Sequence, residues 1–152
     1  MKIAVGADHG GFVLKQIVME ELKEMGHSIV DCGAPTLNPT DDYPDFSRAV
    51  GQALQRGDAE RGVLICGSGV GAAIAATKMR GVRACVCHDT YSAHQGVEHD
   101  DMNVLALGAR VVGDELAKEI VQAFASARFA GAERFQRRLA KVLEIVREQL
   151  AG

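Results

Sequence analysis

Five short apolar runs, each followed by a segment with apolar residues at helical spacing, constrain this chain more than any other feature. KIAVGA at 2–7 precedes FVLKQIVMEELKEMG, whose apolar positions recur three and four apart, as a helix with one buried face requires. Gly26 is placed to stop that helix, because glycine accepts the left-handed backbone that ends helices. HSIVDCG precedes FSRAVGQALQRGD, and GVLICG precedes the Ala-rich GAAIAATKM. RACVCHD precedes TYSAHQGVEHD, and VLALGA precedes VGDELAKEIVQAFASA. A last helix over 133–150 carries Phe135, Leu139, Val142, Leu143, Val146 and Leu150 on one side. Strands alternating with helices predict an α/β fold in which five parallel strands form one sheet covered on both faces.

With 152 residues and no Ser-rich linker, repeat or low-complexity tract, the expected organisation is one domain over 1–152. The only long loop expected is APTLNPTDDYPD, which holds all three prolines. Loops of that length are often functional. No apolar run approaches the ~20 residues of a membrane span. MKIAVGADHGG reaches Asp8 and His9 too soon for a signal peptide and reads as a first strand. A formal charge of −3 gives no general attraction to nucleic acid or acidic membranes, so neither is an expected partner. Three of the four cysteines (Cys32, Cys66, Cys85, Cys87) lie on or at the end of apolar runs. That usage fits reduced thiols and a cytoplasmic location.

In open parallel sheets, ligands bind beyond the carboxyl ends of the strands. The rule selects Asp8 to Gly11, Cys66 to Gly71, His88-Asp89 and the segment around Arg110. Gly67-Ser-Gly-Val-Gly-Ala72 satisfies the Gly-x-Gly-x-x-Gly/Ala dinucleotide pattern, with Asp89 at a distance suited to a ribose. It stands on the third strand, however, whereas such a pattern usually opens a nucleotide domain. A broader reading has the glycines turning backbone N–H groups inward at a helix start, where they stabilise an anion. A plain tight turn between strand and helix is the other reading.

Cys66 is either a small core residue or a thiolate favoured by that helix start, able to act as nucleophile or base. A base beside an anion hole is what enolisation next to a carbonyl requires. Cys85 and Cys87 share a strand face but stand closer in sequence than zinc-binding pairs, so they read as buried strand residues and no metal is expected. His9 follows Asp8 at the first strand's end, where it could steer or protonate a substrate. His99 is flanked by Glu98, Asp100 and Asp101, which would favour its protonated form if they lie close. Arg134 and Arg138, four apart on the last helix, suit a phosphate group, with Arg110 a third candidate.

Together, GADHGG with the following LK, DYPD, CGSGVG, NVLALGARVVG and ERFQRR resemble the ribose-5-phosphate isomerase B family, which includes galactose-6-phosphate isomerase subunits. The resemblance covers nearly the whole chain. It implies a Rossmann-like three-layer domain, a homodimer or dimer of dimers with its site between subunits, and catalysis without metal or nucleotide cofactor. It further implies aldose–ketose isomerisation through an enediolate, with D-ribose 5-phosphate as default and allose, galactose or tetrose phosphates as alternatives. In that scheme Cys66 is the base, and Ser68 with the Gly67, Gly69, Val70 and Gly71 amides stabilises the enediolate. His99 assists ring opening, Asp8 binds hydroxyls, Tyr43 lines the pocket, and His9, Arg110, Arg134 and Arg138 hold the phosphate. Asp100 stands where the family commonly has Asn, Ser68 where Thr is frequent, and Phe135 where His is often found, which bears on the preferred sugar. A nucleotide-binding protein and a sugar-phosphate-binding protein without catalysis are the competing readings.

Overall fold

The computed structural model describes residues 1–150. Five parallel strands, β1 (Lys2–Ala7), β2 (Ser28–Asp31), β3 (Arg61–Cys66), β4 (Ala84–Val86) and β5 (Val104–Gly108), form one sheet in the order β2-β1-β3-β5-β4. Six α-helices cover it: α1 (Phe12–Glu24), α2 (Tyr43–Gln55), α3 (Val70–Ala76), α4 (Thr90–Asp100), α5 (Asp114–Ser126) and α6 (Glu133–Gln149). The predicted three-layer α/β fold with a C-terminal helix is the one observed.

Alternation along the strands sorts the core into two layers. Ile3, Val5, Val63, Ile65, Leu105 and Leu107 face α1, α4 and α5, where Val18, Leu22, Ile120 and Phe124 complete a large apolar layer. Full burial of each such side chain contributes about 1.5–3 kcal/mol. The opposite face is built of smaller residues, including Ala4, Cys66 and Ala106, and meets α2 and α3 through Val50, Ala53, Ala72 and Ala76. There Val50 rests on glycine: a Cβ at Gly6 would come within 2.9 Å of it, and one at Gly62 within 2.5 Å. Helices on that side therefore approach the sheet closely.

Some boundaries differ from the sequence expectation. Tyr43, Pro44 and Asp45 open α2 rather than closing the long loop, because proline near a helix start gives up no needed hydrogen bond. The strand expected across RACVCHD shrinks to three residues at the sheet edge. Cys85 is consequently exposed rather than buried, whereas Cys87 is buried. Gly26 does end α1, with φ of 91°, and the His27 N–H caps Leu22 O at 3.0 Å. The apolar side of α6 is mostly open: among its described residues only Phe135 is buried, and its main packing partner is α4.

Candidate active site

β1 and β3 lie side by side at the centre of the sheet, so their carboxyl ends bring Asp8 beside the Cys66 loop. Asp8 is buried, and its Oδ1 accepts the N–H groups of Gly10 at 2.9 Å and Gly11 at 3.2 Å. Both bonds use one oxygen and leave Oδ2 unengaged by them.

Beyond β3 the chain turns at Gly69, whose φ of 79° falls in the left-handed region that favours glycine. The turn aims the Gly69 N–H at Cys66 Sγ, 3.1 Å away, so a fixed backbone dipole faces the sulfur. The Val70 N–H meets Ser68 Oγ at 3.2 Å. Since Ser68 Oγ accepts there, its own hydroxyl proton remains available to a substrate oxygen. Gly71 makes room for Tyr43: a Cβ would stand 2.6 Å from the phenol ring. Ser47 Oγ ties α2 to α3 by donating to Ala72 O at 3.0 Å. Arg110 closes the other side, its N–H bonded to Gly67 O at 3.0 Å.

These groups enclose an open cavity of about 350 Å³ lined by Asp8, Tyr43, Cys66, Gly67, Ser68, Gly71, Arg110 and Val111. A buried thiol, a carboxylate oxygen, a hydroxyl and a guanidinium thus converge on one space. Its volume is within the range of small-molecule sites.

The other expected site residues gather elsewhere on the same chain. His99 stacks on Phe135 with ring centroids 4.1 Å apart and planes 15° apart, and Arg134 lies 4.4 Å from the same ring. Gln95 Nε2 is 3.0 Å from His99 Nδ1. The carboxylates expected around His99 are partly engaged otherwise, Glu98 with His94 at 3.1 Å and Asp101 with Arg83 at 2.9 Å. Asp100 lines a separate cavity of about 510 Å³ that lies under α6 and also holds Cys85 and Cys87. Arg138 is exposed on α6.

Two pieces of the dinucleotide reading have structural explanations. Asp89 caps α4, accepting the Ser92 N–H at 2.7 Å, and that bond holds its carboxyl below the usual range. Gly71 is required by Tyr43. His88, selected by its place after β4, accepts the Gly108 N–H at 2.9 Å and ties the two last strands together. Burial, followed by its neighbour Cys85, pushes the Cys87 thiol up to about 12. Among the described residues, no three His, Cys, Asp or Glu side chains gather in a way that could hold a metal ion.

Sequence reasoning missed two residues near this end of the sheet. Asp41 Oδ1 meets His9 Nδ1 at 2.9 Å across a separation of 32 residues, a pairing no local pattern announces. Lys15 is wholly buried, with Nζ 2.9 Å from Asp31 Oδ1. In the sequence it stood on the apolar stripe of α1 and within the LK that follows GADHGG, with nothing to announce Asp31 as its partner.

Fold and site together define a parallel α/β protein with a thiol-centred cavity at the carboxyl edge of its sheet. The family model described as Ribose/Galactose Isomerase matches residues 3–142, and the chain belongs to that family. It is 47% identical to ribose-5-phosphate isomerase B of Escherichia coli over 90% of this chain and 91% of the relative. It is 40% identical to D-erythrulose-4-phosphate isomerase of Pectobacterium atrosepticum over 86% of each chain. Ribose-5-phosphate isomerase B of Clostridium thermocellum superposes with a TM-score of 0.93 at 44% identity, over 97% of this chain and 99% of that one. The Mycoplasma genitalium enzyme with bound ribulose-5-phosphate gives 0.91 at 38% identity over 97% of each. The chain is therefore a sugar-phosphate isomerase.

Proposed function

We propose that residues 1–152 act as one catalytic domain that interconverts D-ribose 5-phosphate and D-ribulose 5-phosphate through a cis-enediolate, with Cys66 as the base. In this mechanism the Cys66 thiolate takes the proton from C2 of the open-chain aldose. The C1–C2 bond becomes double and negative charge collects on O1. Ser68 donates its hydroxyl to that oxygen, and Asp8 Oδ2 holds a substrate hydroxyl. Return of the carbon-bound proton to C1, with the O2 proton passing to O1, completes the ketose. Arg110 and His9 bind the phosphate, and that remote binding orients the carbon acid against Sγ.

The carrying observation is the Gly69 N–H on Cys66 Sγ inside a cavity shared with Asp8, Ser68 and Arg110. His9, next in sequence to Asp8, stands outside the residues that line this cavity, and His99, Asp100, Arg134 and Arg138 line no part of it in one chain. They complete it from α4 and α6 of a second copy, in a cytoplasmic homodimer or a dimer of dimers. His99 then opens the sugar ring, and Arg134 and Arg138 add to the phosphate clamp. The similarity to a D-erythrulose-4-phosphate isomerase supports a tetrose phosphate as the alternative substrate. Allose and galactose phosphates are further alternatives.

The test is NMR of D-ribose 5-phosphate with the protein in D₂O and EDTA, with Cys66→Ala alongside. The expected result is ribulose 5-phosphate formed by the intact protein, and turnover reduced roughly 10³-fold in the variant with substrate binding retained. Near-normal turnover by Cys66→Ala would remove the thiol from the mechanism. Product from the tetrose phosphate alone would move the assignment to that substrate.

A further inference from the structure

The loop between β2 and α2 carries a carboxylate for which this mechanism has no use. The Asp41 side chain is only 11% exposed, whereas that of His9 is 44% exposed. Asp41 Oδ1 accepts the backbone N–H of His9 at 2.8 Å and also meets the ring Nδ1 at 2.9 Å. The loop around it is braced. At its start, Lys15 Nζ bonds Asp31 Oδ1 at 2.9 Å and Ala34 O at 3.4 Å. In its middle, Asn38 Oδ1 accepts the Thr40 N–H at 3.1 Å and hydroxyl at 2.9 Å, and Asn38 O accepts the Asp41 N–H at 3.3 Å.

An ionised carboxylate can only accept, so the ring nitrogen facing Asp41 carries the proton. That settles what the other nitrogen offers. In a neutral ring with the proton on Nδ1, Nε2 presents a lone pair, which repels a phosphate oxygen. In the imidazolium, Nε2 presents an N–H donor and a positive charge. The clamp therefore makes anion binding by His9 depend wholly on its protonation. The charges acting on the ring are both carboxylates, Asp41 from the loop and Asp8 from the end of β1. The Asp41 hydrogen bond is the largest influence raising the His9 pKa, opposed by desolvation and assisted by Asp8.

We propose that Asp41 is a positioning residue for the isomerase reaction, holding His9 so that its imidazolium Nε2–H serves as a donor to the phosphate of the substrate. This rests on the reading above that His9 binds the phosphate. The sign of the pH effect follows. Affinity is full while His9 is protonated and declines as pH rises through its raised pKa. Without the Asp41 charge, the decline starts at lower pH.

The experiment measures KM and kcat for D-ribose 5-phosphate between about pH 5.5 and 9 for the intact protein, Asp41→Asn and Asp41→Glu. Correlated ¹H–¹⁵N NMR of the His9 ring during titration with inorganic phosphate is run beside it. Asp41→Asn is expected to raise KM roughly tenfold near neutrality, as loss of one charge-assisted hydrogen bond does. The expected change in kcat is small, the rise in KM should begin at lower pH, and Asp41→Glu should restore part of the difference. In the spectra, the variant ring should titrate at lower pH, populate both tautomers when neutral, and bind phosphate more weakly. Superimposable KM profiles for the intact protein and Asp41→Asn would overturn the proposal. So would an equal loss of kcat and kcat/KM without a shift in the His9 titration. If the intact protein does not turn over ribose phosphate, the substrate reading fails by itself. The ring titration then still decides: a phosphate response weakened in Asp41→Asn supports the proposal, and no response at His9 overturns it.

Discussion

The surroundings of Cys66 and the surroundings of His99 are built by opposite means. Cys66 ends a central strand, its loop is bonded to Arg110 and seated under Tyr43, and the helices around it are pinned through Ser47 and Val50. The His99 cluster depends on α6, a helix of 17 residues held largely through Phe135 against α4. One group of residues inherits its position from the core. The other waits on a helix whose apolar side, including Val142 and Ile145, is exposed. Core packing thus fixes the surroundings of Cys66, whereas Arg134 and Phe135 beside His99 ride on a helix with little of the core behind it.

Two phenylalanines with similar burial test this contrast. Phe124→Ala, in the large layer of the core, should lower global unfolding free energy by about 4 kcal/mol, read from denaturant midpoints. A smaller global effect is expected for Phe135→Ala, about 1 kcal/mol in measurements at low protein concentration, because α6 packs mainly on α4 and can detach without opening the central strands. Its signature should instead be rapid hydrogen exchange confined to α6, with reduced turnover. Equal losses of global stability in the two variants would break the contrast.

The Lys15–Asp31 pair sharpens the same point within the better-anchored region. Its partners are unequal: Lys15 is 0% exposed and Asp31 45% exposed. Removing Asp31 as Asp31→Asn strands a buried ammonium and should cost about 3 kcal/mol. Lys15→Met returns a half-exposed carboxylate to water and should cost about 1 kcal/mol, as exposed charges do. A reversed order in thermal denaturation would contradict this account of the loop's anchor.

The smallest expected effect is chemical. At pH 8, iodoacetamide should modify exposed Cys85 and spare Cys87, which burial keeps as a thiol with a pKa of about 12. Phe135→Ala should speed modification of Cys87, since both cysteines line the cavity beneath α6. Mass spectrometry of the labelled peptides reads both outcomes.

Much of this was legible in the chain itself. β1 and α4 run over the residues their patterns predict, because sharp signals bound them: Gly and Asp after the strand, an Asp cap before the helix. The start of α2 was obscured because Pro44 reads as a breaker, although a helix start tolerates it. The exposure of Cys85 was hidden because an edge strand and a central strand share the same apolar composition. Asp89 shows a further limit, since an acid placed to hold a ribose is equally placed to cap a helix. Asp41 and His9 lay beyond reach of any periodicity: the fold alone joins them, by bringing a loop across the end of β1.

The unequal size of the two core layers has a consequence for mutational tolerance. On the side of α1, α4 and α5, one large side chain can be exchanged for another of similar volume, and the layer can repack around it. On the side of α2 and α3, Gly6 and Gly62 already touch Val50 as closely as glycine allows, so a drift toward larger residues must push a helix outward. α3 begins in the very turn that holds Cys66. Sequence change should therefore accumulate asymmetrically across the sheet, freely behind the site's far wall and sparingly behind the thiol.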